Sequence, residues 1–384
     1  MKCSTLNRLF FIFLLSFTSS VFSLTFDNPY VGNVIAGNKS EQELKVLALK
    51  QVLVKVSGNT KIASLAGSQK LLKHPERLLS QFSFQRYRGN EYYVVLFQDR
   101  KINQAIVQMN QPIWGVTRPK TLIWYAQDLN GRKDIISETD VVNGDNWALI
   151  SAPSQRGISL QFPLMDLEDR ALTPTDIKGH FYSNIIKASK RYNIQNVAVA
   201  YMRKTGSKWN LSFKLVQPDM ISKKNIELIS AEYIGSRASV QIRMVNAIAD
   251  YYAGQYAIIA GSGEKFVQPI FVNKISSFDK FAQLTRILEQ LSSVSEFQIT
   301  TLDDQSVQVN VTVNGGVNAF KNAFTANRHI TRIAEKKEVI TAEDSATLSN
   351  NDAEHSITQK EATTEKATVE HATPEHSPLY FNWR

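Results

Sequence analysis

Leu149–Lys204 reads LISAPSQRGISLQFPLMDLEDRALTPTDIKGHFYSNIIKASKRYNIQNVAVAYMRK, and its hydrophobic period changes along the way. Ile158–Phe162 alternates apolar and polar, the repeat of a half-buried strand, and Pro163 limits its length. Asp166–Arg170 is a charged loop. Thr175-Asp176 then precedes Ile177, Phe181, Ile185, Ile186, Ala188 and Ser189, a helical face with an N-cap, closed by Tyr192-Asn193. Val197, Val199 and Tyr201 mark another strand. Strand, helix, strand with a crossover of this length predicts a parallel pair.

Working outward, Thr121–Tyr125 is a strand rich in β-branched and aromatic residues, and a helix runs from about Asn146 to Arg156. Beyond a turn at Lys204–Ser207, Trp209–Val216 and Ile226–Ile234 read as paired strands, and Ser236 starts a long helix. This alternation predicts a three-layer α/β domain over residues 112–260. Pro112–Pro119 punctuates its start. Trp114 and Arg118 there read as an exposed stacking site or, the more ordinary use, as a packed interdomain corner.

Residues 24–111 read as a smaller unit. Tyr30–Ile35 is a strand, and Ser40 with Glu43 forms a capping box ahead of a helix that Gly58 stops. Phe82–Tyr87 and Tyr92–Phe97 flank Gly89-Asn90 as a hairpin, and Ile102–Met109 is helical. Past a joint at Gly261–Gly263, residues 264–334 repeat that order: strand Phe266–Val272, helix Phe278–Leu291, a hairpin around Asp303-Asp304, helix Ala319–Phe324. The fold class is therefore α/β plus α+β, with a central three-layer domain between two small split β-α-β-β-α domains. Residues 335–384 are Thr-, Glu- and Ala-rich and predict a disordered tail, ending in the apolar cluster Leu379, Tyr380, Phe381 and Trp383.

Lys2 and Arg8 precede and flank the apolar run Leu9–Phe17, which is too short to span a bilayer, and Val21 and Ser23 suit a cleavage site before Leu24. Residues 1–23 thus predict a signal peptide, or else an uncleaved anchor, and a periplasmic mature chain with no transmembrane span. Cys3 is the one cysteine, so the mature chain has no disulfide and no thiolate metal site. The formal charge is +9. Without Lys2 and Arg8 it is +7, of which residues 335–384 carry −5 and the remainder +12. A basic body of that kind attracts anionic envelope components, or merely keeps the chain soluble; nucleic acid is not expected in an exported protein.

Four stretches, ALKQVLVKVSG (Ala48–Gly58), WGVTRPKTLIWYA (Trp114–Ala126), RGISLQFPLMDLED (Arg156–Asp169) and KASKRYNIQNVAVAYM (Lys187–Met202), resemble landmarks of an exported proteobacterial family, domain of unknown function twenty sixty-six. The chain has Ile158 and Ser159 where that family's RGLPL-type motif has leucine and proline. The resemblance implies no activity, cofactor or catalytic residue.

Arg156, Asp166, Glu168, Asp169 and His180 are candidates to converge at the carboxyl edge of the central strands, where open α/β sheets bind ligands. Arg156 would grip an anion that Asp166 and Asp169 orient; the plainer reading is a helix-end arginine and capping carboxylates. Ser154 lies outside a G-x-S-x-G elbow, and the chain has no paired histidines, so neither a catalytic set nor a cofactor or metal site is expected. The terminal cluster Leu379–Trp383 reads as a segment that docks by β-augmentation or in a groove, on this chain or on a partner. The expected function is a non-enzymatic periplasmic binding or envelope-assembly factor with an envelope protein or anionic component as partner. The alternatives are a small-ligand-binding protein using the central domain and, last, an unrecognised hydrolase.

Overall fold

The computed structural model describes residues 28–218, 225–259, 265–327, 329–333 and 377–384; within them the chain is a mixed α/β protein with three sheets and ten α-helices. The expected signal peptide with Cys3, the Gly261–Gly263 joint, and the tail with His355, His371 and His376 up to residue 376 lie outside the described residues.

The first sheet takes β1 (Val31–Ile35), β2 (Leu79–Tyr87) and β3 (Asn90–Phe97) in the antiparallel order β1-β3-β2. Helices α1 (Glu41–Ser57) and α2 (Ala66–Leu72) separate β1 from β2, and α3 (Asp99–Gln108) follows β3. The capping box forms: Glu43 N donates to Ser40 Oγ at 3.3 Å while Ser40 N donates to Glu43 Oε2 at 2.8 Å. Ser40→Ala is expected to cost about 1 kcal/mol in denaturant unfolding, and Ser40→Gly only about a few tenths. Equal losses would mean that the cap is not what the position contributes. At the other end Gly58 turns left-handed with φ 72° and donates to Val54 O at 2.8 Å. A Cβ there would stand 2.4 Å from Ala253 Cβ, so glycine alone lets α1 end against the long helix Arg237–Tyr256.

The second sheet joins β4 (Lys120–Leu129), β5 (Arg132–Ile135), β6 (Ser159–Gln161), β7 (Asn196–Thr205), β8 (Lys208–Pro218) and β9 (Asn225–Gly235) in the order β5-β4-β7-β8-β9, with β6 also on β4. Leu122, Trp124 and Ala126 face one core with Val197 and Val199; Ile123 and Tyr125 face another with Ala198 and Ala200. Burial on both faces is why these strands read as continuous apolar runs. Helices α5 (Ala148–Arg156) and α8 (Arg237–Tyr256) cover the second face, after the short α4 (Glu138–Asn143); α6 (Pro174–Gly179) and α7 (Tyr182–Ser189) cover the first.

Two expectations change here. The strands β6 and β7 are parallel but do not pair with each other, because β4 lies between them and pairs with both. The helix expected from Thr175-Asp176 to Ser189 is two helices. Its cap is Thr173, whose N donates to Asp176 Oδ2 at 2.8 Å, so Asp176 is the partner inside the box and not the cap itself. His180 breaks the run by taking φ 54°.

The third sheet holds β10 (Phe266–Asn273), β11 (Val294–Leu302) and β12 (Ser306–Val313), with α9 (Phe278–Gln290) and α10 (Val317–Thr325). Its strands pair β10-β12-β11, the same first-third-second order as β1-β3-β2. It then gains β13 (Ile330–Arg332) and β14 (Leu379–Trp383) on the far side of β10. The expected tail therefore does not run to Arg384 as one disordered segment. Leu379–Trp383 is a strand, parallel to β10 and antiparallel to β13.

Candidate functional site

The residues expected to form a pocket at the carboxyl edge are not brought together. Arg156, only 4% exposed, donates to Asp250 Oδ1 at 2.6 Å, Asn246 Oδ1 at 2.9 Å and Gly58 O at 3.1 Å, and so clamps the ends of α1 and α5 onto α8. Asp166 and Asp169 lie beyond β6 with the helices of the opposite face. There Arg191 grips Asp166 through two 2.6 Å hydrogen bonds, which pull its carboxyl down to about 2. Asp166 also accepts the Glu168 and Asp169 amides, a local cap. Asp169 is fully buried and accepts from Met165 N at 2.9 Å and from the Tyr192 hydroxyl. Each member is committed to a structural partner. His180 sits at the α6–α7 break, nearer Lys214 and Glu227 than the two aspartates.

Trp114 and Arg118 form the packed corner. Trp114 is fully buried, and the Arg118 guanidinium lies 4.0 Å from its ring centroid. Leu379, Phe381 and Trp383 are buried in the core of the third sheet, while Tyr380 stacks on Phe271 at 5.0 Å. Leu379–Trp383 is thus a strand of the third sheet, beside β10 and β13.

The geometry instead offers a cleft of about 630 Å³ between the first sheet and α5. One wall is the outer edge of β1 with the adjoining face of α1, and the other is α5. Val34, Ile35, Leu47, Val54, Trp147 and Ile150 give it an apolar lining, and Ile35 and Trp147 are 40% and 37% exposed. Two side chains of α1 occupy the outward backbone groups of β1: Asn33 N donates to Gln51 Oε1 at 2.6 Å, and Lys55 Nζ donates to Val31 O at 2.8 Å. The edge is thereby blunted against chance strand pairing. Asn33 Oδ1 and the hydroxyl of Tyr92 both line the cleft, are shut off from solvent and have no hydrogen-bond partner. Burial pushes the Tyr92 hydroxyl up, so it stays a neutral donor. Lys39, Lys50 and Arg156 line the cleft and no Asp or Glu does; neither lysine forms an ion pair among the described residues.

Residues 24–115 match the family described as Domain of unknown function (DUF8605). The match spans the first sheet and its helices, including the β1 and α1 wall of the cleft. It overturns the resemblance to domain of unknown function twenty sixty-six. Most of the stretches quoted for that resemblance lie beyond residue 115, at strand starts and a turn, where the fold itself favours particular residue types. No curated protein matches the chain. Among solved structures, the C-terminal domain of LpoB from Salmonella enterica is similar at 13% identity and a TM-score of 0.21, over 31% of this chain and 83% of that one. A score that low does not establish a shared fold.

The segment that matches DUF8605 also holds a residue the sequence did not single out. Lys55 lies in the last turn of α1 as an ordinary helix-end cation, yet it is fully buried, with Arg118 as its charged neighbour. Desolvation first, then Arg118, pulls its amine down to about 7. Among the described residues no three His, Cys, Asp or Glu side chains group as a metal site, and no helix is long and apolar enough to cross a membrane.

Proposed function

We propose that this chain is an exported, periplasmic binding protein of the cell envelope, and that the cleft between β1 and α5 holds an anionic, amphipathic envelope component. Export rests on the basic start and short apolar core of residues 1–23. The reading takes the six-stranded sheet, helices on both faces, as a central three-layer domain between two split β-α-β-β-α domains; the shared first-third-second strand order supports it.

The observation that carries the functional reading is the lining of the cleft. Apolar side chains face Lys39 and Lys50 with no carboxylate in the lining, Arg156 being already paired with Asp250, and the volume is within the ordinary range of ligand pockets. An acyl or similar apolar body fits the wall, and an acid head group balances the lysines.

The test is a titration of the full chain with dodecyl phosphate below its micelle concentration, followed by tryptophan fluorescence, with Trp147→Phe identifying the source of the signal. Dodecyl phosphate is expected to bind at least about tenfold more tightly than dodecyl maltoside, and Lys50→Glu to remove that preference, a change of about 1.4 kcal/mol. Equal binding of the charged and neutral probes, or no effect of Lys50→Glu, would sink the proposal.

A further inference from the structure

A second cleft, also of about 630 Å³, opens at the amino edge of the second sheet, where β4 and β6 begin and the end of the chain returns. We infer that it is an oxyanion site, built from Arg118, Lys120 and Arg384, for a phosphate group carried on a polar body. This site is separate from the β1–α5 cleft and does not depend on it.

Charge makes the case. Arg118, Lys120, His329 and Arg384 line this cleft and no Asp or Glu side chain does. Arg118 has neutral partners only: it donates to Gly157 O at 3.1 Å, Lys55 O at 2.7 Å and Trp114 O at 3.1 Å. Its Nε–H is buried with no partner. Behind it lies the buried Lys55 amine, whose hydrogen bond among the described residues goes to a carbonyl, Val31 O, and whose charged form burial and Arg118 disfavour. A guanidinium partly taken out of water without an anion is disfavoured, and a bound oxyanion that supplies the missing charge offsets that cost. Burial accordingly lowers the pKa of Arg118, with no carboxylate acting to raise it.

The fold brings the other two cations from far along the sequence. Lys120 starts β4 and is exposed. Arg384 follows β14 and is oriented by Asn193 Oδ1 at 3.1 Å and by the Thr331 hydroxyl, both neutral. The site is thus complete only when the last strand is seated in the third sheet. The opposing influence is the carbonyl end of α10, where Ala326 and Asn327 also line the cleft. A helix end carries about half a charge, against full charges on three side chains. Gln195 donates its amide to Thr325 O and satisfies one of those carbonyls. Three cations around one cleft balance a phosphate dianion better than a single carboxylate, and the guanidinium fork matches its oxygens.

The experiment is calorimetric titration of the full chain with pyrophosphate at low ionic strength, with the melting temperature followed in parallel. One-to-one binding and a rise in melting temperature are expected, with at least about a tenfold loss in Lys120→Gln/Arg384→Gln, which leaves the half-buried Arg118 in place. Lys50→Glu, in the other cleft, is expected to leave pyrophosphate binding unchanged. No heat at millimolar pyrophosphate overturns the assignment. So does wild-type binding by the double variant. An equal loss from Lys50→Glu also overturns it, because the attraction would then belong to the basic body as a whole. Vesicles of phosphatidylcholine with phosphatidic acid identify the source of the phosphate. Binding that pyrophosphate competes away supports the site with a lipid headgroup as ligand; pyrophosphate binding without vesicle binding supports it with a soluble one.

Discussion

Phe381→Ala is expected to destabilise the third sheet by about 3–5 kcal/mol, whereas Tyr380→Ala, one residue earlier, costs about 1 kcal/mol or less. The contrast follows from the two faces of β14. Phe381 is fully buried and meets Phe324 edge-on at 4.8 Å; Tyr380 is 37% exposed and stacked on Phe271. Leu379 and Trp383 share the buried face, at 4% and 3% exposure. β13 pairs with β14 alone, through Ile330–Trp383, Thr331–Asn382 and Arg332–Phe381, so loosening β14 also frees β13. Urea unfolding of the two variants, followed by near-ultraviolet circular dichroism, decides the point. Similar small losses from both would mean that the last strand contributes little to the core. The connection between β13 and β14, residues 333–378, is far longer than the two to five residues that a hairpin needs. Ring closure over such a length costs only about 2 kcal/mol more than over a short one, which the buried face of β14 can offset.

Much of the fold was legible where local chemistry and period agreed. The Ser40–Glu43 box, the Gly58 stop, the hairpin at Gly89-Asn90 and the doubly apolar runs at β4 and β7 depend on residues a few positions apart. The failures have the opposite origin. Thr173 and Thr175 are equally good caps by residue type, and only the bond from Thr173 to Asp176 separates them. Nothing local to β6 and β7 announces that β4 will lie between them, since strand order is set by packing across the whole sheet. The apolar cluster at Leu379–Trp383 was visible as a docking segment, but its place beside β10 is a long-range fact.

The candidate site was less legible, for a physical reason. Arg156, Asp166 and Asp169 stood out because they are charged residues near strand ends, yet such residues mostly serve each other, as Arg156 does with Asp250 and Arg191 with Asp166. What distinguishes the two clefts is charge without a partner, and that appears only after folding has decided which groups meet. Lys39, Lys50 and Lys120 look like any surface lysine in the sequence. Arg118 was legible as a packed corner residue on Trp114, but its lack of a carboxylate partner was not.

Lys55 makes that lack of compensation measurable. Its folded-state pKa is about 7 against an ordinary 10.5, because burial strips water from the amine and Arg118 adds like-charge repulsion. Below pH 7 both folded and unfolded chains carry the proton, and the folded chain bears the whole cost of a buried charge. Between 7 and 10.5 the unfolded chain holds a proton that the folded chain has given up, so stability from this residue rises with pH. One pKa unit corresponds to about 1.4 kcal/mol, which puts the full rise on the order of 5 kcal/mol. Lys55→Met keeps the apolar stem packed against Gly157 and removes the titrating group. It also strips Val31 O of its donor, at a cost of about 1–3 kcal/mol that does not vary with pH. At pH 6 the loss of the buried charge outweighs that cost and the variant is the more stable protein. Near pH 10 the balance reverses, and the two stability curves cross. Denaturant unfolding of both proteins from pH 6 to pH 10 tests this, since their difference cancels every titrating group they share. Parallel curves would mean that the amine stays protonated with a counter-charge close by. The unneutralised pair of Lys55 and Arg118, on which the oxyanion site partly depends, would then be the wrong description of this junction.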